Sequence, residues 1–235
     1  MPDLPEALLH RPIAHRGLHN AEEGTIENTR AAVEAAIGTG YAIEIDVQAA
    51  ACGTPMVVHD PTLERLTDCS AAVAALTAEE LALIQPTGTT EGIPTLREIL
   101  GQIAGRSALL IEIKPQESAG ATAALTAATA RLTADAGLEA ALMSFDPNAV
   151  RTAAAVAPAL PRGLVTRGAR VADLATHGAS FLALHHRALD QPGLADVNIP
   201  ILTWTIRSAT EEAQARRIAR NVIFEGYLAA VPELA

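Results

Sequence analysis

The sequence predicts a parallel α/β fold closed into a barrel, and three observations carry that prediction. Short apolar or alternating runs alternate with Ala-rich stretches of helical period from one end of the chain to the other, the pattern of repeated strand–helix units. Eight runs read as strands, at residues 12–15, 42–47, 108–113, 140–145, 162–166, 181–185, 201–206 and 221–224. The length of 235 residues suits one such unit, since α/β barrels run to about 200–250 residues as a single domain.

Each element has its own local reason. After the first run, the Ala-rich stretch 27–37 has the propensity of a helix and leads into the strand at 42–47. A further apolar run, Met56 to His59, follows too soon for a parallel crossover, and Cys52-Gly53-Thr54-Pro55 is turn chemistry. A hairpin is therefore expected, returning His59 to the carboxyl end of the second strand. Residues 60–107 form a long, partly helical connection with a polar loop at 85–92. Within it Thr77/Glu80 and Thr95/Glu98 have the spacing of capping boxes, as does Ser208/Glu211 near the end of the chain. Stretch 119–134 is helical by its alanines, and Asp146-Pro147 places an N-cap and an N1 proline directly after a strand.

Composition removes several function classes. Seventeen Lys and Arg stand against 27 Asp and Glu, for a net charge of −10, so the chain has no general footprint for nucleic acid. No run is long and apolar enough to suggest a membrane span or a secretory leader, and no basic amphipathic segment suggests a stable membrane association. The only cysteines, Cys52 and Cys69, form neither a CxxC pair nor a disulfide framework. A cytoplasmic, reducing location is expected.

The chemistry-bearing residues fall at strand ends. Ile43-Glu44-Ile45-Asp46 puts two carboxylates on one face of a strand, and Leu110-Ile111-Glu112-Ile113-Lys114 repeats the device. Glu44, Asp46, Glu112 and Lys114 then converge inside the barrel. Burying unpaired carboxylates is costly, and one divalent cation, Mg²⁺ or Ca²⁺, compensates them most simply; the competing reading is the solvated face of an edge strand. His15, followed by Arg16 and Gly17, and His59, followed by Asp60, supply an acid and a base for neutral pH, with Arg16 as a phosphate clamp. Trp204 reads equally as core packing or as the wall of a pocket for an organic group. Of the other histidines, His10, His19 and His177 read as surface or loop residues, and His185-His186-Arg187 as rim.

The ordered set His15-Arg16-Gly17, Glu27-Asn28-Thr29, Glu44-Ile45-Asp46, His59-Asp60, Glu112-Ile113-Lys114 and Trp204-Thr205, with Ser144-Phe145-Asp146, resembles the glycerophosphodiester phosphodiesterase family over nearly the whole chain. The resemblance implies a TIM (β/α)8 barrel with a small insertion after the second strand, here residues 48–107 of a single domain spanning 1–235. It implies metal binding by Glu44, Asp46 and Glu112, acid/base roles for His15 and His59, and phosphate neutralisation by Arg16 and Lys114. The reaction implied is hydrolysis of glycerophosphodiesters, small-molecule substrates, to glycerol 3-phosphate and an alcohol. Two departures stand out: Ile26 replaces the family's proline before the Glu-Asn-Thr element, and Phe224-Glu225-Gly226 replaces its Thr-Asp near the last strand. Phospholipase D-like action on lysophospholipids or sphingolipids, and a non-catalytic barrel that only binds, are the alternatives.

Overall fold

The computed structural model describes residues 1–168 and 178–231; His177 lies outside them. Among these residues, strands β1 (Ile13–Ala14), β2 (Ala42–Ala49), β3 (Pro55–Val57), β4 (Leu109–Ile113), β5 (Ala140–Ser144), β6 (Arg162–Thr166), β7 (Phe181–His185), β8 (Ile201–Ile206) and β9 (Asn221–Phe224) form one sheet. All but β3 are parallel, and β1 pairs with both β2 and β9, which closes the barrel. β3 runs antiparallel to β2 with Val47 opposite Val57, so the hairpin forms as expected around Gly53 at φ +78°.

Alternation along the strands creates two cores. Ile43, Ile45 and Val47 face the surrounding helices, while Ala42, Leu110, Ala141, Val165, Phe181, Leu202 and Ile223 fill the barrel. A short helix, α1 (Glu6–His10), plugs the amino end of the barrel with Leu4 and Leu8. Asn221 holds it there, its Nδ2 donating to Leu8 O at 2.9 Å and to Arg11 O at 2.6 Å. This helix has one turn and gives no periodicity to read in the sequence.

The outer helices are α2 (Arg30–Thr39), α3 (Ala78–Leu81), α4 (Leu96–Ile103), α5 (Ala119–Ala136), α6 (Pro147–Val156) and a last one at Ala209–Ala215. Thr77 and Thr95 form complete capping boxes, and Asp146 caps α6 with proline in its first turn. Three expectations need correction. α2 begins at Arg30 rather than 27, because Asn28 sits at φ +59°, which no helix accepts, and Thr29 takes the cap. α5 gains an N-cap, Ser118, and runs two residues further than expected. Ser208 caps its helix, but the Glu211 carboxylate accepts from Arg207 N at 2.8 Å instead of closing a box.

Between β3 and α4 the chain builds a satellite core of Met56, Val58, Leu63, Val73, Leu81 and Ile93. Arg30 ties this segment down, donating to Gly92 O at 2.9 Å and to Glu98 at 2.8 Å. Inside the barrel, Gly163 provides the room that the buried Phe181 ring occupies: a Cβ there would lie 2.3 Å from Phe181 Cε2. Gly163→Ala is therefore expected to cost about 1–3 kcal/mol through overpacking, read by urea unfolding, and Phe181→Leu in the same chain should recover part of it. Unchanged stability of the single variant would contradict this packing.

Candidate active site

At the carboxyl ends of the strands the inward positions turn from apolar to ionisable. Glu44 and Asp46 of β2 and Glu112 of β4 are buried there, in parallel register with Asp46 opposite Glu112, and one oxygen of each lies within 4.8 Å of the others. Lys114 Nζ bridges Asp46 Oδ1 at 2.7 Å and Glu112 Oε1 at 2.5 Å. Arg16 is divided, with Nη1 on Glu27 Oε1 at 2.7 Å and Nε 3.3 Å from Asp46 Oδ2. Glu44 Oε2 accepts from the Arg16 backbone N–H at 3.0 Å, while its Oε1 is buried without a hydrogen-bond partner. A buried carboxyl oxygen left without a partner among three acids fits a candidate hard-cation site with all-oxygen donors.

The electrostatics agree with that geometry. Burial first, then the neighbouring Asp46 and Glu112 charges, push the Glu44 carboxyl well above its ordinary range. Burial likewise raises Glu112, outweighing the adjacent ammonium of Lys114. Asp46 is opposite in sign: burial is overcome by Lys114 and Arg16, which hold it ionised. For Lys114 burial is again outweighed, here by Asp46 and Glu112, so the ammonium is retained.

Local backbone geometry sets these groups. Arg16 lies at φ +57° and Gly17 at +78°, and a Cβ on Gly17 would meet Ala32 at 2.8 Å, so the turn after β1 presses against the start of α2. Left-handed backbone at a non-glycine residue is costly and clusters at functional sites. Asn28, also left-handed, exchanges two hydrogen bonds with Asp46: Nδ2 donates to Oδ2 at 2.9 Å and the Asp46 N–H donates to Oδ1 at 3.1 Å. That pair fixes the carboxylate's rotamer.

Both histidines stand at this mouth, each pinned by a carboxylate. His15 Nδ1 lies 2.5 Å from Glu225 Oε2, and its Nε2 points to Glu44 Oε2 at 4.0 Å. His59 Nδ1 lies 2.7 Å from Asp60 Oδ1. An ionised carboxylate only accepts, so in each ring Nδ1 carries the proton and Nε2 keeps a lone pair in the neutral form. Burial lowers the pKa of both rings, favouring that neutral form. Arg65 joins the second pair to the first cluster, bonding Asp60 and also donating to Glu27 at 2.7 and 2.9 Å. An unbroken ionic chain thus runs from Asp46 through Arg16, Glu27, Arg65 and Asp60 to His59.

All the site residues expected from sequence gather at one end of the barrel, with Trp204 on the opposite wall. Its Nε1 donates to Ala183 O at 3.0 Å, and it packs edge-on to Phe145 and His185. His10 lies at α1, paired with Glu6 at 2.9 Å, and His19 reaches Glu225 Oε2 at 3.8 Å. In the sequence Glu27 and Asn28 stand only in the motif series and Glu225 only as a departure from it, none with a role, and Arg65 carries no signal. For Glu225 a signal existed: it continues the inward alternation of β9 one step past the strand.

A model of the glycerophosphoryl diester phosphodiesterase family matches residues 15–222. The chain belongs to this family. The glycerophosphodiester phosphodiesterase fold is shared with a phosphodiesterase from Oleispira antarctica, solved in complex with the product sn-glycerol-3-phosphate. That protein is 26% identical with a TM-score of 0.84, and the match covers 94% of this chain and 95% of that one. A glycerophosphodiester phosphodiesterase from Parabacteroides distasonis, at 19% identity and a TM-score of 0.81 over 92% of both chains, shares the TIM-barrel fold. Glycerophosphodiester phosphodiesterase 1 of Bos taurus is 37% identical over 100 residues, covering 38% of this chain and 29% of the bovine protein. The matched segment thus spans under a third of that family member.

Proposed function

We propose that this family member hydrolyses glycerophosphodiesters to glycerol 3-phosphate and an alcohol, with a divalent cation, Mg²⁺ or Ca²⁺, held by Glu44, Asp46 and Glu112, and with His15 and His59 as the proton carriers. The observation that carries the proposal is the placing of two carboxylate-pinned imidazoles beside three buried carboxylates, one with an unpartnered oxygen. The glycerol 3-phosphate named in the Oleispira complex supports the same substrate class.

When bound, the cation supplies Lewis-acid stabilisation to a non-bridging phosphate oxygen. Arg16 and Lys114 add positive charge on the same side, where phosphate charge grows in the transition state. One imidazole Nε2 takes the proton of the attacking oxygen as that oxygen bonds to phosphorus: water gives glycerol 3-phosphate directly, whereas the neighbouring glycerol hydroxyl gives a cyclic phosphate that water then opens to it. The P–O bond to the alcohol breaks, and the other imidazole, protonated, delivers its proton to the leaving oxygen. Glu225 and Asp60 hold each ring in register and stabilise it when it is positively charged, as a carboxylate behind a catalytic histidine does. No described helix is long and apolar enough to cross a membrane.

The test is release of glycerol 3-phosphate from a panel of glycerophosphodiesters, with Mg²⁺, Ca²⁺ or a chelator. Release that depends on added metal and stops with chelator is expected. No release from any diester under either metal would overturn the proposal.

A further inference from the structure

The inward alternation that delivers the acids on β2 and β4 delivers a different set on the other half of the barrel. Phe145 and Arg167 stand one step past β5 and β6, His185 at the end of β7 and Trp204 inside the last half of β8. Phe145 and Trp204 meet edge-to-face at 5.5 Å, and His185 meets Trp204 at 4.9 Å. Such an aromatic corner is the place where a quaternary ammonium would dock by cation–π contact. Here a guanidinium already stands over it: Arg167 Cζ lies 5.2 Å from the Trp204 ring centre and 5.9 Å from that of Phe145.

Among the described residues, the charge left unpaired at this corner is positive. Arg167 is exposed and has no carboxylate partner among the described residues, and the same holds for Arg187. Arg207, the third guanidinium, is spent on Glu225 at 2.5 Å. The His186 ring lies beside that of His185 at 4.7 Å, and burial, followed by the positive charges of His186, Arg167, Arg187 and Arg207, lowers the pKa of His185. Glu27, Asp46, Asp60 and Glu112 lie on the other half and are paired there with Arg16, Arg65 and Lys114. The wall that faces the Glu44 cluster thus offers aromatic faces and a guanidinium without a carboxylate partner among the described residues.

We propose that this wall selects diesters whose alcohol arm is anionic, with Arg167 as the specificity-determining residue, and that it rejects choline-like cationic arms. The inference rests on the hydrolytic reading above and adds the substrate class to it. The cation–π contact holds the guanidinium beside Trp204, and its N–H groups are the donors for a phosphate or carboxylate.

The test compares glycerophosphocholine, glycerophosphoglycerol and glycerophosphoinositol phosphate as cationic, neutral and anionic arms, by kcat/KM and by calorimetric binding with Mg²⁺ present. The parent chain is expected to favour the anionic over the cationic arm by about tenfold or more, as for a charge-assisted hydrogen bond gained or lost. Arg167→Glu should invert that ratio, whereas Arg131→Glu, on the outer surface of α5, should leave it unchanged. Equal or better use of the choline diester by the parent, or an Arg167→Glu effect equal on all three arms, would overturn the selection while leaving hydrolysis standing. Should no diester be hydrolysed, the hydrolytic reading falls, and the order of binding affinities still decides: anionic-first binding lost in Arg167→Glu supports the wall, and indifferent binding overturns it.

Discussion

Replacing Glu44 by glutamine should abolish metal-dependent turnover, by about a thousandfold or more, and yet leave the metal-free protein at least as stable as the parent. The two effects have one cause. Glu44 is fully buried, its Oε1 has no partner, and Asp46 and Glu112 crowd it with like charge. A carboxylate in that position is held in the chain at a cost to the fold, because its charged form is disfavoured in the folded state and not in the unfolded one. An amide of the same shape removes the repulsion and keeps an acceptor for the Arg16 N–H, so in chelator a gain of roughly 1 kcal/mol or more is expected, within the range seen when buried charges are replaced. A cation that binds only the folded parent raises its melting temperature by mass action. Thermal melts in Mg²⁺, Ca²⁺ and chelator check both halves: the parent's midpoint should rise with metal, the variant's should not, and in chelator the variant should melt no lower. A variant that still gains stability from metal and still turns over would remove Glu44 from the cation site.

The barrel was legible because its signals are repetitive. Four strand ranges, 162–166, 181–185, 201–206 and 221–224, match the observed strands at both ends, since in each a compact apolar run is bounded by turn or helix residues. The carboxylates were legible for a stronger reason: an acid inside an otherwise apolar strand contradicts its surroundings, and Glu44, Asp46 and Glu112 all do so. What escaped were features set by tertiary contact. α1 is a helix because Leu4 and Leu8 have a barrel floor to fill and Asn221 to hold them, neither of which is local. The start of α2 was misplaced because the propensity of the alanines says nothing about Asn28, whose left-handed backbone is held by its two hydrogen bonds to Asp46 on the neighbouring strand β2.

The ionic chain from Arg16 to Asp60 was hidden for a related reason. Glu27, Arg65 and Asp60 look like ordinary surface charge in sequence, and only the return of the β2–β3 hairpin brings residues 60–65 over the Glu-Asn-Thr turn. Glu225 is the instructive case. As a substitution for the family's Thr-Asp it read as a disturbance of the closing strand. In the fold its longer side chain reaches His15 Nδ1 and gathers Arg207 and His19 around itself. Burial works against its charge, but the hydrogen bond from His15 and the nearby His19 and Arg207 outweigh it and keep the carboxylate ionised.

His15→Ala and His59→Ala should each lower turnover by about 10²–10⁴-fold, the usual yield of a positioned acid or base, while the metal-induced rise in melting temperature persists. The separation follows from geometry: neither ring is among the three carboxylates, and His15 Nε2 is 4.0 Å from the nearest of their oxygens. Because the two rings serve one proton inventory, removing both should cost far less than the product of the single losses. Glu225→Gln discriminates further. It keeps the shape of the His15 partner but offers a neutral amide in place of an anion, so it should lose about 10–100-fold, the range for groups that orient a site from behind. That loss should fall mainly on kcat, since Glu225 is screened from the phosphate by the ring it holds, and Glu225→Asp, which restores the charge on a shorter arm, should recover part of it. Near-parent turnover of both alanine variants would remove the histidines from the chemistry, and a Glu225→Gln defect confined to KM would mean that the carboxylate shapes the mouth and does not steer the ring.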